Sequence, residues 1–150
     1  MTLDEVHEKV VVVLDALTEA NEDATVIVEG ERDVKALRAL GLTGEIVTLH
    51  RGIPVFQFCE RLAADHRHVV ILTDWDVRGG QLARLLRTGL AANGVKYDED
   101  LRARLAALCQ KDIKAVEDLH KFVERIRPHG DDGRRRSRSN RAWYTLRARR

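Results

Sequence analysis

Between Ala24 and Ala92 the chain runs three times through the same pattern: a short apolar strand, a turn and an amphipathic helix. Ala24-Thr-Val-Ile-Val-Glu29 is β-branched and is broken by Gly30 before the amphipathic stretch from Asp33 to Leu40. Glu45-Ile-Val-Thr-Leu49 is the second strand, Gly52 and Pro54 punctuate, and Val55 to Ala64 is a helix with proline at its opening. His68-Val-Val-Ile-Leu-Thr73 is apolar enough to be buried on both faces. Asp74 to Gly80 then forms the turn and Gln81 to Ala92 the helix. After Asn93-Gly94, the segment Val95-Lys-Tyr97 adds a short fourth strand. Right-handed crossovers lay each helix over the sheet, so the expected fold is α/β and Rossmann-like. It has a three- to four-stranded, mainly parallel sheet with helices on both faces.

Around this body, Leu3 to Glu19 carries Val6, Val10, Val13, Leu14 and Leu17 at helical spacing, a stripe that needs a partner surface. Leu101 to Leu108 and Ile113 to Ile126 read as two further helices, and Glu117-Asp118 as part of a solvated face. Asp98 and Asp100 suit a helix N-cap. Beyond Pro128 a short linker leads into Arg134 to Arg150. The expected division is an N-terminal helix over 1–23, a body over 24–127 and a basic tail over 128–150. From Asp131 onward eight arginines face two acids, so a formal charge of +2 for the whole chain leaves the body at −4.

A length of 150 residues suits one core, and a chain 44% hydrophobic and 33% charged belongs with globular proteins. No apolar run reaches a membrane span and no signal-peptide core follows Met1, so the expectation is a cytoplasmic protein with no membrane contact. Cys59 and Cys109 lack the spacing of a zinc knuckle and read as buried thiols. Histidines 50, 66, 68 and 120 show no ligand spacing and read as surface residues.

The placement of the acids carries the functional signal. Glu29 ends the first strand, and Asp74 and Asp76 directly follow the third, so all three are expected at the carboxyl edge of one sheet, where such folds bind ligands. Carboxylates crowded in a partly dry crevice raise one another's pKa or demand a counter-ion. Mg²⁺ answers that demand with one or two carboxylates, waters and phosphate oxygens, and Mn²⁺ would serve similarly. Gly30 and the pair Gly79-Gly80 let the chain turn and let a phosphate come close. Arg32 and Arg78 lie where a cation meets a phosphate. The competing reading makes the acids helix caps and first-turn residues.

Val28-Glu29-Gly30-Glu31-Arg32-Asp33, followed by Thr73-Asp74-Trp75-Asp76-Val77-Arg78-Gly79-Gly80, resembles the two signature motifs of the Toprim domain. That domain occurs in DnaG-type primases, topoisomerases, RecR-like repair proteins, OLD-family nucleases and ribosomal-RNA maturation ribonucleases. The resemblance covers Ala24 to Tyr97 and implies that Glu29 is a general acid or base, Asp74 and Asp76 a metal-binding pair, and Gly30 and Gly79 turn glycines. Glycine shortly after the aspartate pair is similar to the maturation ribonucleases and small archaeal Toprim proteins, where topoisomerases tend to carry another acid. The only tyrosines, Tyr97 and Tyr144, also suit a covalent tyrosine mechanism poorly.

The tail supplies the grip. Arg134, Arg135, Arg136, Arg138 and Arg141 would neutralise phosphates, and Trp143 would stack on an unpaired base of RNA or DNA. The competing reading is a solvated tail. Together these features point to a Mg²⁺-dependent nuclease. The alternative is a non-catalytic nucleic-acid adaptor, or a primase-like or repair subunit of a larger complex. An exposed sheet edge also permits pairing with a second copy.

Overall fold

The computed structural model describes residues 1–49 and 52–128. Its elements run α1 (Leu3–Asp23), β1 (Thr25–Val28), α2 (Glu31–Ala39), β2 (Ile46–Thr48), α3 (Val55–Ala63), β3 (His68–Ile71), α4 (Val77–Ala92), β4 (Lys96–Asp98), α5 (Asp100–Cys109), a 3-10 turn (Val116–Asp118) and α6 (Leu119–Ile126). The four strands are all parallel in the order β2-β1-β3-β4. Val26 pairs with Ile46 on one side and Val70 on the other. The chain leaves β1 toward one edge and returns through β3 toward the other. The gap at their carboxyl ends is therefore a topological switch point, the place where such sheets open a crevice.

Alternation along the strands builds two cores. Val26, Val28, Val70 and Leu72 face α1, α2, α5 and α6, whereas Ile27, Val69 and Ile71 face α3 and α4. The predicted stripe of α1 is buried through Val10, Val13, Leu14 and Leu17, and the helix packs on α5 and α6. Cutting Leu14 or Leu17 to alanine would cost about 2–5 kcal/mol.

Three expectations shift at their edges. α4 begins at Val77, not Gln81, because Asp76 caps it by accepting from the Gly79 N–H at 2.7 Å. α2 begins at Glu31, with the Gly30 N–H donating to Asp33 Oδ2 at 3.0 Å. The single helix expected over Ile113 to Ile126 is instead a turn, a 3-10 segment and a short α6. The carbonyls of Ile113 and Lys114 and the amide of Val116 are spent on Trp75 and Asp74 and cannot serve a helix ladder. His66 is no plain surface residue, since its ring bridges the Leu62 carbonyl and Glu45. Asp98 accepts from the amides of Asp100 and Leu101 at the start of α5, as a cap should. His50, the linker and the tail with Arg134, Arg135, Arg136, Arg138, Arg141 and Trp143 lie outside the described residues.

Candidate active site

The first strand delivers Glu29 and the third delivers Asp74, and the two meet across the switch point. Glu29 Oε2 accepts from the Asp74 N–H at 2.8 Å. Asp74 Oδ1 accepts from the Val116 N–H at 2.9 Å. Each carboxylate thus has one oxygen tied to backbone and one left for a ligand.

The loop that carries Asp74 is held from three sides. Arg102, on α5, donates from Nε to the Thr73 carbonyl at 3.0 Å and from Nη2 to the Asp74 carbonyl at 2.7 Å. Such charge-assisted bonds contribute about 1.5–3 kcal/mol each. Trp75 donates from its amide to Lys114 and from its indole to Ile113. Gly79 supplies the third constraint. A Cβ there would lie 1.8 Å from the Asp74 carbonyl oxygen, so only glycine lets α4 press against the strand end. Gly79 was expected as a turn residue approached by phosphate, but it sits inside the first turn of α4 and makes room for protein backbone. Gly30 differs: a Cβ there meets nothing within 4 Å, and the residue borders the open cleft.

That cleft, about 760 Å³, is lined by the acids Glu29, Glu31, Asp33, Asp74 and Glu117, by Arg32 and Arg78, and by several apolar side chains. Asp33 and Glu117 were missed as site acids by the sequence reading. Asp33 stands within the first motif, and at 5% exposure it is more buried than its position at a helix start suggests. Glu117 was assigned to a solvated face and is exposed, but the break in the expected helix turns it toward the cleft. No spacing rule flags either residue, because α2 and the 3-10 turn meet only in the folded chain.

Asp76 takes the helix-capping role and is not part of the lining, although its charge still reaches Asp74. Burial pushes Asp74 up to about 6, against the Val116 hydrogen bond and with help from the charges of Glu29, Asp76 and Glu117. Burial also pushes Asp33 up to about 6, aided by the charge of Asp74 and opposed by the Gly30 N–H. Among the described residues no positive side chain hydrogen-bonds to these carboxylates. Arg32 and Arg78 line the same cleft, and Arg32 also borders an adjoining groove with Lys35 and Lys121.

Among the described residues no group of three or more histidine, cysteine, aspartate or glutamate side chains is placed to hold a metal ion. The Glu29–Asp74–Asp76 triad therefore does not form a closed cage. The donor set nevertheless fits Mg²⁺, which needs only one or two carboxylates beside water and phosphate. Hard oxygen donors left uncompensated are what such an ion neutralises. Among the described residues no helix is long and apolar enough to cross a membrane.

Comparison with known proteins agrees with this geometry. A Toprim domain model matches residues 24–108, more than half of the chain. A UPF0292 protein of Methanosarcina acetivorans is 39% identical over 110 residues, covering 72% of this chain and 74% of its own. A UPF0292 protein of Pyrococcus abyssi is 39% identical over 104 residues, covering 69% and 77%. A solved structure from Aquifex aeolicus aligns with a TM-score of 0.61 at 24% identity, covering 72% of this chain and 95% of its own, and so shares the fold. The family match stops short of residues 113–117, which pin Trp75, hydrogen-bond to Asp74 and add Glu117 to the cleft. With both motifs at the switch point and the match spanning the sheet, the chain belongs to the Toprim domain family.

Proposed function

We propose that this chain performs Mg²⁺-dependent phosphodiester cleavage on nucleic acid. One observation carries the reading: Asp74, half-buried at the switch point, is crowded by Glu29 and Glu117, and among the described residues no cationic side chain hydrogen-bonds to its carboxylate. A Toprim domain already links the chain to metal-dependent nucleic-acid work. The nuclease step itself is the proposal.

Asp74 and Glu29 are the carboxylates that would hold the ion, while Asp76 caps α4 and contributes through its charge on Asp74. The chemistry that these carboxylates would gain from a bound divalent cation is neutralisation of the phosphodiester and of the extra charge in an in-line transition state. The chain's own groups do the rest. Arg32 and Arg78, both lining the cleft, orient the phosphate. Glu29 takes the proton of the attacking water as the new P–O bond forms, and a proton returns to the leaving oxygen as the old bond breaks. Arg102 and Gly79 hold the Asp74 backbone in place. Arg32, Lys35 and Lys121, along an adjoining groove that Glu117 and Asp118 also border, offer the flanking polyanion cationic contacts.

The adaptor reading retains one point in its favour, the lack of a closed three-acid group among the described residues. Incubating the protein and its Asp74→Asn variant with structured RNA, single-stranded DNA and plasmid separates the two. Each substrate is tested with Mg²⁺, Mn²⁺ and chelator. Metal-dependent cleavage lost in the variant supports the nuclease, and tight binding without cleavage by either protein supports the adaptor. Glu29→Gln should reduce turnover more than metal binding. Equal loss of both would make Glu29 a ligand only.

A further inference from the structure

The cleft has two unlike walls. Its acids come from the ends of β1 and β3, from α2 and from the 3-10 turn. The other side, built by the end of β2, α3 and α4, presents Leu49, Ile53, Val55, Phe58 and Leu82. Phe58 is buried, but Leu49, Ile53, Val55 and Leu82 are only half-buried and keep apolar surface in the cleft. Phosphate chemistry gives no reason for this wall. A phosphate and a hydrated ion are polar throughout, and aliphatic surface beside them is left wet at a free-energy cost unless the ligand covers it.

From this juxtaposition we infer that the wall of Leu49, Ile53, Val55 and Leu82 is a subsite for an unpaired nucleobase adjoining the reacting phosphate. The inference rests on the nucleic-acid reading proposed above and narrows it to single-stranded or frayed substrate. A nucleotide is the ligand whose chemistry matches both walls, having a flat weakly polar base at one end and a phosphate at the other. The cleft's volume of about 760 Å³ suits this, since pockets for whole small molecules run to roughly 300–1,000 Å³. Arg32 and Arg78 then take phosphate oxygens while the base lies against the aliphatic side. A base locked in a duplex cannot reach that wall without unpairing. Aliphatic contacts carry little hydrogen-bond readout, so the subsite accepts any of the bases.

The test is abasic scanning. A short fluorescent single strand, as RNA and as DNA, has one nucleotide at a time replaced by an abasic residue, and Kd is measured in Ca²⁺. Wild type should lose about tenfold in affinity at one or two positions, the scale of uncovering about 50–60 Å² of apolar surface. The Ile53→Ser/Leu82→Ser variant should bind the intact strand about tenfold more weakly and be indifferent to the same replacements. Leu82→Met, which keeps an apolar side chain there, should retain discrimination, and a duplex of the same sequence should bind more weakly than the strand. The wild-type scan needs no variant, so it decides the matter even if the double substitution impairs folding. If Mg²⁺-dependent cleavage is present, is lost in Asp74→Asn, and every abasic strand binds as well as the intact one, the subsite falls and the nuclease reading stands. If no oligonucleotide is bound or cut, both fall.

Discussion

The two ends of this parallel sheet treat their acids in opposite ways. At the amino end, Glu45 accepts from the Thr25 hydroxyl at 2.6 Å and pairs with His66, contacts that hold its pKa below the ordinary value. Asn21 closes the same end by bonding to the Glu45 carbonyl and the Gly44 amide. At the carboxyl end Asp33, buried, and Asp74, half-buried, stand beside other acids and are pushed up to about 6. One end satisfies its charge internally, and under the proposed reading the other leaves charge for a bound ion to satisfy. Stability and function are thus separated along the strand axis, so substitutions at the two ends should differ in kind.

Asp74→Asn draws the sharpest contrast. Activity with Mg²⁺ should fall by about 10²-fold or more, as when a transition-state-stabilising group is removed. The melting temperature in chelator should hold or rise, because the lost charge is a buried and repelled one. A fall in stability matching the fall in activity would make Asp74 a structural residue. Next in size is Gly79→Ala. Its Cβ would overlap the Asp74 carbonyl, and overpacking against backbone should cost about 3 kcal/mol, read as a lower denaturant midpoint at unchanged slope. Gly30→Ala is the control, since its Cβ enters open cleft and should leave the midpoint nearly unchanged.

Much of this was legible in the sequence because it is periodic or local. β-branched runs broken by glycine announced the strands, and acids directly after two of them announced the switch-point cleft. What escaped the reading depends on pairings between distant segments. Arg102 has no motif of its own, and only the folded chain brings it onto the carbonyls of Thr73 and Asp74. Glu117 looked like part of a continuous helix until Trp75 and Asp74 drew the backbone at 113–116 out of helical pairing. Gly79 was noticed for the wrong physical reason, since a glycine in sequence does not say whether ligand or protein fills the missing Cβ's place.

Asp33→Asn tests whether acid strain is general to the carboxyl end. With a folded-state pKa near 6 against an ordinary 3.8, the native protein binds Asp33's proton more tightly than the unfolded chain does. Wild-type stability therefore declines as pH rises from about 4 to about 6 and stays lower above that. Asparagine keeps an acceptor for the Gly30 N–H and removes the charge. In chelator at pH 7.5 the variant should be more stable by about 1–2 kcal/mol, with the gain vanishing below about pH 4. Urea titrations across that range would show it, and a pH-independent difference would assign the effect to packing.

The smallest effect belongs to the amino end and should have the opposite pH signature. Burial works against charge on His66, but the Leu62 carbonyl and Glu45 outweigh it and raise its pKa. A raised histidine stabilises fully below its unfolded value of 6.5 and loses that contribution as pH climbs through the folded value. Glu45, held low, contributes above its ordinary 4.5 and loses that as pH falls. The pair therefore acts above Glu45's ordinary 4.5 and until pH climbs through the raised value of His66, above 6.5. Glu45 is 56% exposed in its side chain, so solvent screening limits the pair to under about 1 kcal/mol. Glu45→Gln should lower the denaturant midpoint slightly near pH 5.5 and hardly at all at pH 8.5. Metal-dependent activity at saturating Mg²⁺ should be unchanged at either pH, and a loss there would couple the two ends that the fold holds apart.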